Sequence, residues 1–296
     1  MGTVLALGNF DGLHIGHMKV INATNEMAKR LHAMPFALVF KEHPVTVLTG
    51  EPQLSLFSPD MRAAVFKQTG VTLCLLDFET MKDMSPREFF DTIILKRMGA
   101  KGVCCGFNYT FGKNGEGTPE ILEEFCREAG IEFSMSEELD FEGAPVSSTR
   151  IREAIENGEI ELANVMLGRP FAFRQTVVDG DKRGRAMGTP TINQVLDPGL
   201  VHPKYGVYMS KTLVAGRTYY SLTDIGVRPT VYNDGEPVVE THILDFNGNL
   251  YGKLVEVHLM HYIRPEKKFE SINELEAQIK EDEREVRHLA AAFGSI

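Results

Sequence analysis

The sequence lacks several features that would fix a function class at once. It has four cysteines in 296 residues and no Cys-x-x-Cys pair, so zinc-finger and thioredoxin-like sites have no ligand spacing to use. Cys104 and Cys105 lie in an apolar run and read as buried thiols; reduced thiols suit a cytoplasmic protein. No run of roughly 18 apolar residues occurs, so no membrane-spanning helix is expected. The opening residues, MGTVLALGNFDG, have no basic segment leading into a cleavable apolar core, and no secretory leader is expected. Positive charge is also short. Lys and Arg number 31 against 41 Asp and Glu, a net charge of −10 at pH 7. Nucleic-acid binding needs a basic face, so none is expected, which leaves local basic spots for small phosphates.

What is present is an ordinary globular composition, 43% hydrophobic and 24% charged. At about 150 residues per domain the chain holds two domains, each large enough for its own core. The first half alternates short apolar runs (residues 3–7, 35–40, 71–76 and 102–105) with helical patterns. Runs of that kind are strands buried on both faces of a parallel sheet. Helix starts are marked by Ser58-Pro59, by Thr118-Pro119 and by the capping box Ser85-Pro86-Arg87-Glu88, with stops at Gly70, Gly99 and Gly130. The pattern predicts a doubly wound α/β domain whose ligands bind at the carboxyl ends of the strands. Beyond residue 168 the style changes. Residues 208–213, 217–225, 238–245 and 254–260 are rich in Val, Thr and Tyr, and Ala215-Gly216 and Asn247-Gly248 read as hairpin turns between them. These segments predict a small antiparallel barrel or sandwich. A closing helix follows, capped by Ser271 and Glu274, with Ile272, Leu275, Ile279, Val286 and Leu289 on one face. The change of style divides the chain into domains 1–167 and 168–296.

The first chemical motif is Gly8-Asn9-Phe10-Asp11-Gly12-Leu13-His14-Ile15-Gly16-His17. It follows the first buried strand and opens a helix, where a helix N-terminus favours an anion. His14 and His17 are three apart, so both rings can face one spot and stabilise charge on phosphoryl oxygens. No lysine stands at P-loop spacing. The second motif is Val146-Ser147-Ser148-Thr149-Arg150-Ile151-Arg152. Here Ser148 or Thr149 would cap a helix, and hydroxyls with two arginines at one helix start form a phosphate cradle. Taken alone it is equally an ordinary capped helix. In the second half, Gly180-Asp181-Lys182-Arg183-Gly184-Arg185 is a basic loop punctuated by glycine, leading into Gly188-Thr189-Pro190-Thr191-Ile192-Asn193. Such a loop can wrap phosphates, and Thr and Asn oxygens suit a phosphate-bound Mg²⁺. On composition alone a solvated loop fits as well. Glu240, by alternation alone, is an outward-facing strand carboxylate.

His-x-Gly-His is similar to the signature of the nucleotidyltransferase superfamily. Together with Ser-Ser-Thr-x-Ile-Arg, with Gly106-Phe107-Asn108-Tyr109-Thr110-Phe111-Gly112 and with Phe40-Lys41-Glu42-His43-Pro44, it resembles the adenylyltransferase module of the bacterial bifunctional riboflavin kinase/FMN adenylyltransferases. Gly-Thr-Pro-Thr-Ile-Asn, Ile225-Gly226-Val227-Arg228-Pro229-Thr230 and Val239-Glu240-Thr241-His242 resemble that family's kinase module. Glu42, Thr189 and Ile192 depart from its usual residues. The resemblance implies a Rossmann-like nucleotidyltransferase fold followed by a riboflavin kinase-like barrel with a closing helix. It implies two reactions: riboflavin to FMN in the second domain, and FMN to FAD with release of pyrophosphate in the first. Riboflavin, FMN and ATP would be the small-molecule substrates, with Mg²⁺ at both sites. By the resemblance, His14 and His17 act at the adenylyl group, while Gly8, Phe10 and Asp11 line the ATP pocket. Ser148, Thr149 and Arg152 hold phosphates and Asn108 lies on the FMN side. In the kinase, Gly180, Lys182, Gly184 and Arg185 hold ATP phosphates, Thr191 and Asn193 hold Mg²⁺, and Glu240 is the general base. Two alternatives stand beside it: a His-x-Gly-His transferase with another acceptor, and a flavin-sensing protein without catalysis.

Overall fold

The computed structural model describes residues 2–180, 190–227 and 237–292. Strand β1 (Thr3–Leu7) is apolar but for its first residue and buried along its whole length. It lies at the centre of a five-stranded sheet of order β3-β2-β1-β4-β5, built with β2 (Met34–Phe40), β3 (Thr72–Leu76), β4 (Ala100–Gly106) and β5 (Glu132–Ser136). Every pairing is parallel, as continuous apolar runs require when both faces are covered. The helices α1 (Ile15–Arg30), α2 (Pro44–Thr49), α3 (Pro59–Thr69), α4 (Pro86–Phe89) and α5 (Pro119–Ala129) connect the strands. α4 starts on the expected capping box and runs on as a π-helical segment, Phe90–Arg97. The core joins Leu5, Leu7, Phe90, Ile94, Val103 and Cys105. Burial pushes the Cys104 thiol up to about 11 and the Cys105 thiol up to about 12, so both are inert packing groups. After β3, at one edge, the chain crosses back to place β4 beside β1. That reversal lies between β1 and β4, and such a switch point is where a doubly wound sheet binds ligands.

A short hairpin, β6 (Asp140–Phe141) with β7 (Ala144–Pro145), precedes helices α6 (Ser148–Asn157) and α7 (Ile160–Leu167). The second sheet is antiparallel, of order β8-β13-β10-β11-β12-β9. Its strands are β8 (Phe171–Thr176), β9 (Thr191–Val195), β10 (Gly206–Val214), β11 (Arg217–Val227), β12 (Pro237–Ile243) and β13 (Leu254–Arg264). The sheet curls until its edges meet. The Gln194 amide on β9 donates to the Gln175 carbonyl on β8 (2.8 Å) and to the Val255 carbonyl on β13 (2.9 Å). The lumen carries hydroxyl pairs instead of pure hydrocarbon: Ser210 with Thr223, Thr212 with Ser221, and Thr223 with Thr241, all fully buried. On the outer face, helix α8 (Ile272–Ala292) covers Val207, Met209 and Leu222 with Ile279, Val286 and Leu289. Asp282, 2% exposed, takes a bidentate hydrogen bond from Arg264 there.

Two expectations are corrected here. Asn247-Gly248 does not turn a hairpin, because the strands on either side of it, β12 and β13, are not neighbours; a strong local turn signal says nothing about which strand pairs with which. Ile272 is 68% exposed instead of lying on the buried face, since the helix has only just begun there. The described chain separates into two compact units: Met1–Gln53 with Pro59–Ser148, and Leu54–Ser58 with Thr149–Ile296.

Candidate functional site

In the first unit the segment after β1 turns sharply. Phe10, Gly12 and Leu13 all have positive φ (50°, 75° and 38°), a conformation that stores strain in residues other than glycine. The turn delivers His14 to the N-cap of α1, where its Nδ1 accepts the His17 backbone N–H at 3.2 Å. The two imidazoles stack with centroids 3.5 Å apart, as the spacing of three predicts. Because Nδ1 of His14 is an acceptor, a neutral ring carries its proton on Nε2. Gly16 permits this arrangement: a Cβ there would lie 3.2 Å from the His14 ring. Phe10 is buried behind the pair, edge-on to His17 at 5.3 Å and packed against Gly8. Asp11 is 3% exposed.

The second motif meets the first at Asp11. The Ser148 hydroxyl donates to the Asp11 carbonyl at 2.8 Å. Ser148 is already the first residue of α6, so neither it nor Thr149 is the N-cap. Its hydroxyl goes to Asp11 because the helix begins one residue earlier than expected. The division between units falls just after Ser148. In the second unit Thr149 is exposed, and Arg152 is buried with its Nε on the Leu54 carbonyl at 2.7 Å. Asn108 is exposed at the carboxyl end of β4, the strand beside β1. His43 caps α2 through Nδ1, with Pro44 as the first helical residue, so the loop carrying Glu42 leads into a regular helix start.

In the second unit, strict alternation places Glu240 on the outer face of β12, whose burial alternates residue by residue. In register beside it lie Asn193 on β9 and Asp224 on β11, and His242 faces Thr191. Thr191, Asn193 and Glu240 therefore share one patch on two adjacent strands. Asn193 is 5% exposed because the backbone at Gly180 lies over its amide; a Cβ on Gly180 would come within 2.3 Å of it. Glycine is required there for close approach of the chain. The loop's Lys182, Gly184 and Arg185 lie outside the described residues, as do Thr189 and residues 228–230. Thr191 and Asn193 supply two neutral oxygens under a closely fitted backbone. That is too few for an all-protein metal cage, but it suits Mg²⁺ that arrives on phosphates and keeps waters.

The sequence reading missed a pocket of about 200 Å³ beside Thr191. Val177, Ile192, Ile243, Phe246, Leu250 and Tyr251 supply its apolar lining. Its residues come from β9 and β12, from Val177 just after β8 and from the connection between β12 and β13, and no local pattern gathers them.

The comparisons agree with this two-part layout. A family model described as FAD synthetase matches residues 1–150, and one described as riboflavin kinase matches residues 167–290. The chain is 36% identical over 290 residues to a bifunctional riboflavin kinase/FMN adenylyltransferase of Bacillus subtilis, covering 96% of this chain and 91% of that protein. It is 32% identical over 292 residues to one from Pseudomonas fluorescens, covering 98% and 94%. A solved structure described as a macrolide-efflux protein from Streptococcus pneumoniae superposes with a TM-score of 0.88 at 35% identity, covering 97% of this chain and 94% of the other. No helix among the described residues here is long and apolar enough to cross a membrane.

Proposed function

Because the chain belongs to the family of bifunctional riboflavin kinase/FMN adenylyltransferases, we propose how its own residues divide the two reactions, with residues 1–167 adenylylating FMN and residues 168–296 phosphorylating riboflavin. The protein is an enzyme of FAD synthesis. Riboflavin and ATP give FMN and ADP; FMN and ATP then give FAD and pyrophosphate. We place it in the cytoplasm, in keeping with its four free cysteines.

In the kinase, the Glu240 carboxylate takes the proton from the ribityl 5′-hydroxyl as that oxygen attacks the γ-phosphorus, and ADP leaves. Thr191 and Asn193 would hold Mg²⁺, which when bound offsets charge on the phosphate oxygens. Gly180, Lys182, Gly184 and Arg185 hold the ATP phosphates. The apolar pocket beside Thr191 is a seat of the right size and chemistry for the adenine ring. In the adenylyltransferase, an FMN phosphate oxygen attacks the α-phosphorus of ATP and pyrophosphate departs, without a covalent enzyme intermediate. His14 through Nε2–H, and His17 beside it, stabilise charge on the phosphoryl oxygens. Gly8, Phe10 and Asp11 shape the ATP side, with Phe10 acting from behind His17. Ser148, Thr149 and Arg152 serve the phosphates, and Asn108 the FMN side.

The observation that carries this reading is the shared outer face on which Glu240 stands in register with Asn193. It gives the second unit a role that a transferase with another acceptor, or a flavin sensor, would leave unexplained. The test is a time course with riboflavin, ATP and Mg²⁺, the flavins separated by chromatography. FMN appears first and FAD follows. Glu240→Gln stops FMN formation, by about 10²-fold or more, and leaves FAD formation from supplied FMN unchanged. Full kinase activity in that variant would remove Glu240 as the base.

A further inference from the structure

We propose that Arg62 is a positioning residue of the adenylyl-transfer site, compensating the buried Asp11 carboxylate and tying the turn after β1 to the end of β2. The inference rests on the reading of the first unit as the adenylyltransferase. α3 carries Arg62 and Phe66 one helical turn apart, on one face of the helix. Phe66 is 1% exposed and meets the buried Phe10 ring edge-on at 6.0 Å. Arg62, half-buried, donates Nη1–H to the carbonyl of Phe40, the last residue of β2, at 3.2 Å. Its Nε is buried with no hydrogen-bond partner among the described residues, so the guanidinium keeps donor capacity within the site. Burial lowers its pKa and the Asp11 carboxylate opposes that shift.

Two physical needs meet at this residue. The strained turn through Phe10, Gly12 and Leu13 persists only if its surroundings over-determine it; Phe66 packs against it from α3, and Arg62 fastens α3 to the end of β2. The second need is electrostatic. ATP brings several negative charges to a site whose wall contains Asp11, and a buried carboxylate without a nearby cation would repel them. Arg62 removes that repulsion while leaving the two histidines to face the reacting phosphorus.

The test uses the full chain with Arg62→Met, Arg62→Lys, Asp11→Asn and the double variant, measuring kcat and KM for ATP in FAD formation. Riboflavin phosphorylation on the same chain is the control for folding. Arg62→Met should raise KM for ATP about 10-fold with a smaller change in kcat, as for lost binding as opposed to lost chemistry. Arg62→Lys should restore KM to within about 3-fold, because the charge is kept. The Arg62→Met effect should shrink when Asp11 is already Asn, the mark of direct coupling. Unchanged KM in Arg62→Met overturns the proposal. So does an Arg62→Lys variant as impaired as Arg62→Met, with matching losses of thermal stability, which would make the residue only a packing element. A wild-type chain that makes FMN but no FAD would overturn the assignment of the first unit itself, a failure visible before any variant is made.

Discussion

Asp224 and Glu256 show how single carboxylates in the second unit take opposite signs. Asp224 stands across from Glu240. Desolvation, then the Glu266 and Glu240 carboxylates, push its carboxyl up to about 7 against the pull of Arg264. A raised carboxyl favours the folded state only while it is protonated. That contribution is complete below the ordinary 3.8 and is lost as the pH rises through about 7. Asp224→Asn should therefore match the wild type in thermal midpoint at about pH 4 and exceed it above about pH 7; a variant less stable at every pH would mean that Asp224 makes contacts worth more than its charge costs. Glu256 is the reverse. Hydrogen bonds from His258 and Arg174 hold it down at about 2, so its contribution is present above the ordinary 4.5 and fades as the pH falls through about 2. A pH series on Asp224→Asn thus reads a term that Glu256 cannot mimic.

α7 stands at the change of sequence style that divides the chain at 167/168. It lies before the change from α/β pattern to strands, yet it groups with the second unit. It buries Ile160, Ala163, Met166 and Leu167, and Asn164 bridges two strands, accepting from the Phe171 N–H at 2.7 Å and donating to the Leu259 carbonyl at 2.9 Å. Each large apolar side chain so buried contributes about 1.5–3 kcal/mol. A fragment starting at Pro170 should unfold at lower denaturant concentration than one starting at Thr149, by several kcal/mol on that scale; equal midpoints would show that α7 contributes nothing to the kinase unit. What the sequence makes legible follows from the range of the interaction. β1 and the capped starts of α4 and α5 depend on neighbours within a few residues, and the structure places them where the pattern does. β5 escapes notice because it is a half-buried edge strand without a continuous apolar run. The histidine pair is legible because a spacing of three in a first helical turn fixes its geometry. Arg62, Phe66 and the pocket beside Thr191 are not, since distant segments create them. Asn247-Gly248 misleads for the same reason: strand pairing is a long-range property.

At the scale of the molecule, the order of the chain is not the order of its units. Residues Leu54–Ser58 belong to the second unit, where Ser55 exchanges backbone hydrogen bonds with Gly199 and Val201. Leu56 and Phe57 are buried, and the Arg169 guanidinium lies over the Phe57 ring at 4.8 Å. Burial lowers the Arg169 pKa to about 10, so the ring is packed against a cation largely removed from water. Phe57→Ala should therefore destabilise the kinase, by about 3–5 kcal/mol, although residue 57 lies within the span matched by the FAD synthetase model. Heating the variant should abolish riboflavin phosphorylation at a lower temperature than in the wild type; an unchanged inactivation temperature would detach the segment from the kinase. The two reactions themselves should separate cleanly, because the His14–His17 stack and the Thr191–Asn193–Glu240 face lie in different units. His17→Ala chains should make FMN but no FAD, and Glu240→Gln chains should make FAD only from supplied FMN. Mixed together with riboflavin, ATP and Mg²⁺, they should complement. FMN rises first, then falls as FAD forms, at a rate proportional to the amount of the Glu240→Gln chain. That outcome requires FMN to leave one chain and bind another. If each variant keeps its remaining activity and the mixture still yields no FAD, the intermediate is handed on within a chain, and separate units would not mean separate reactions.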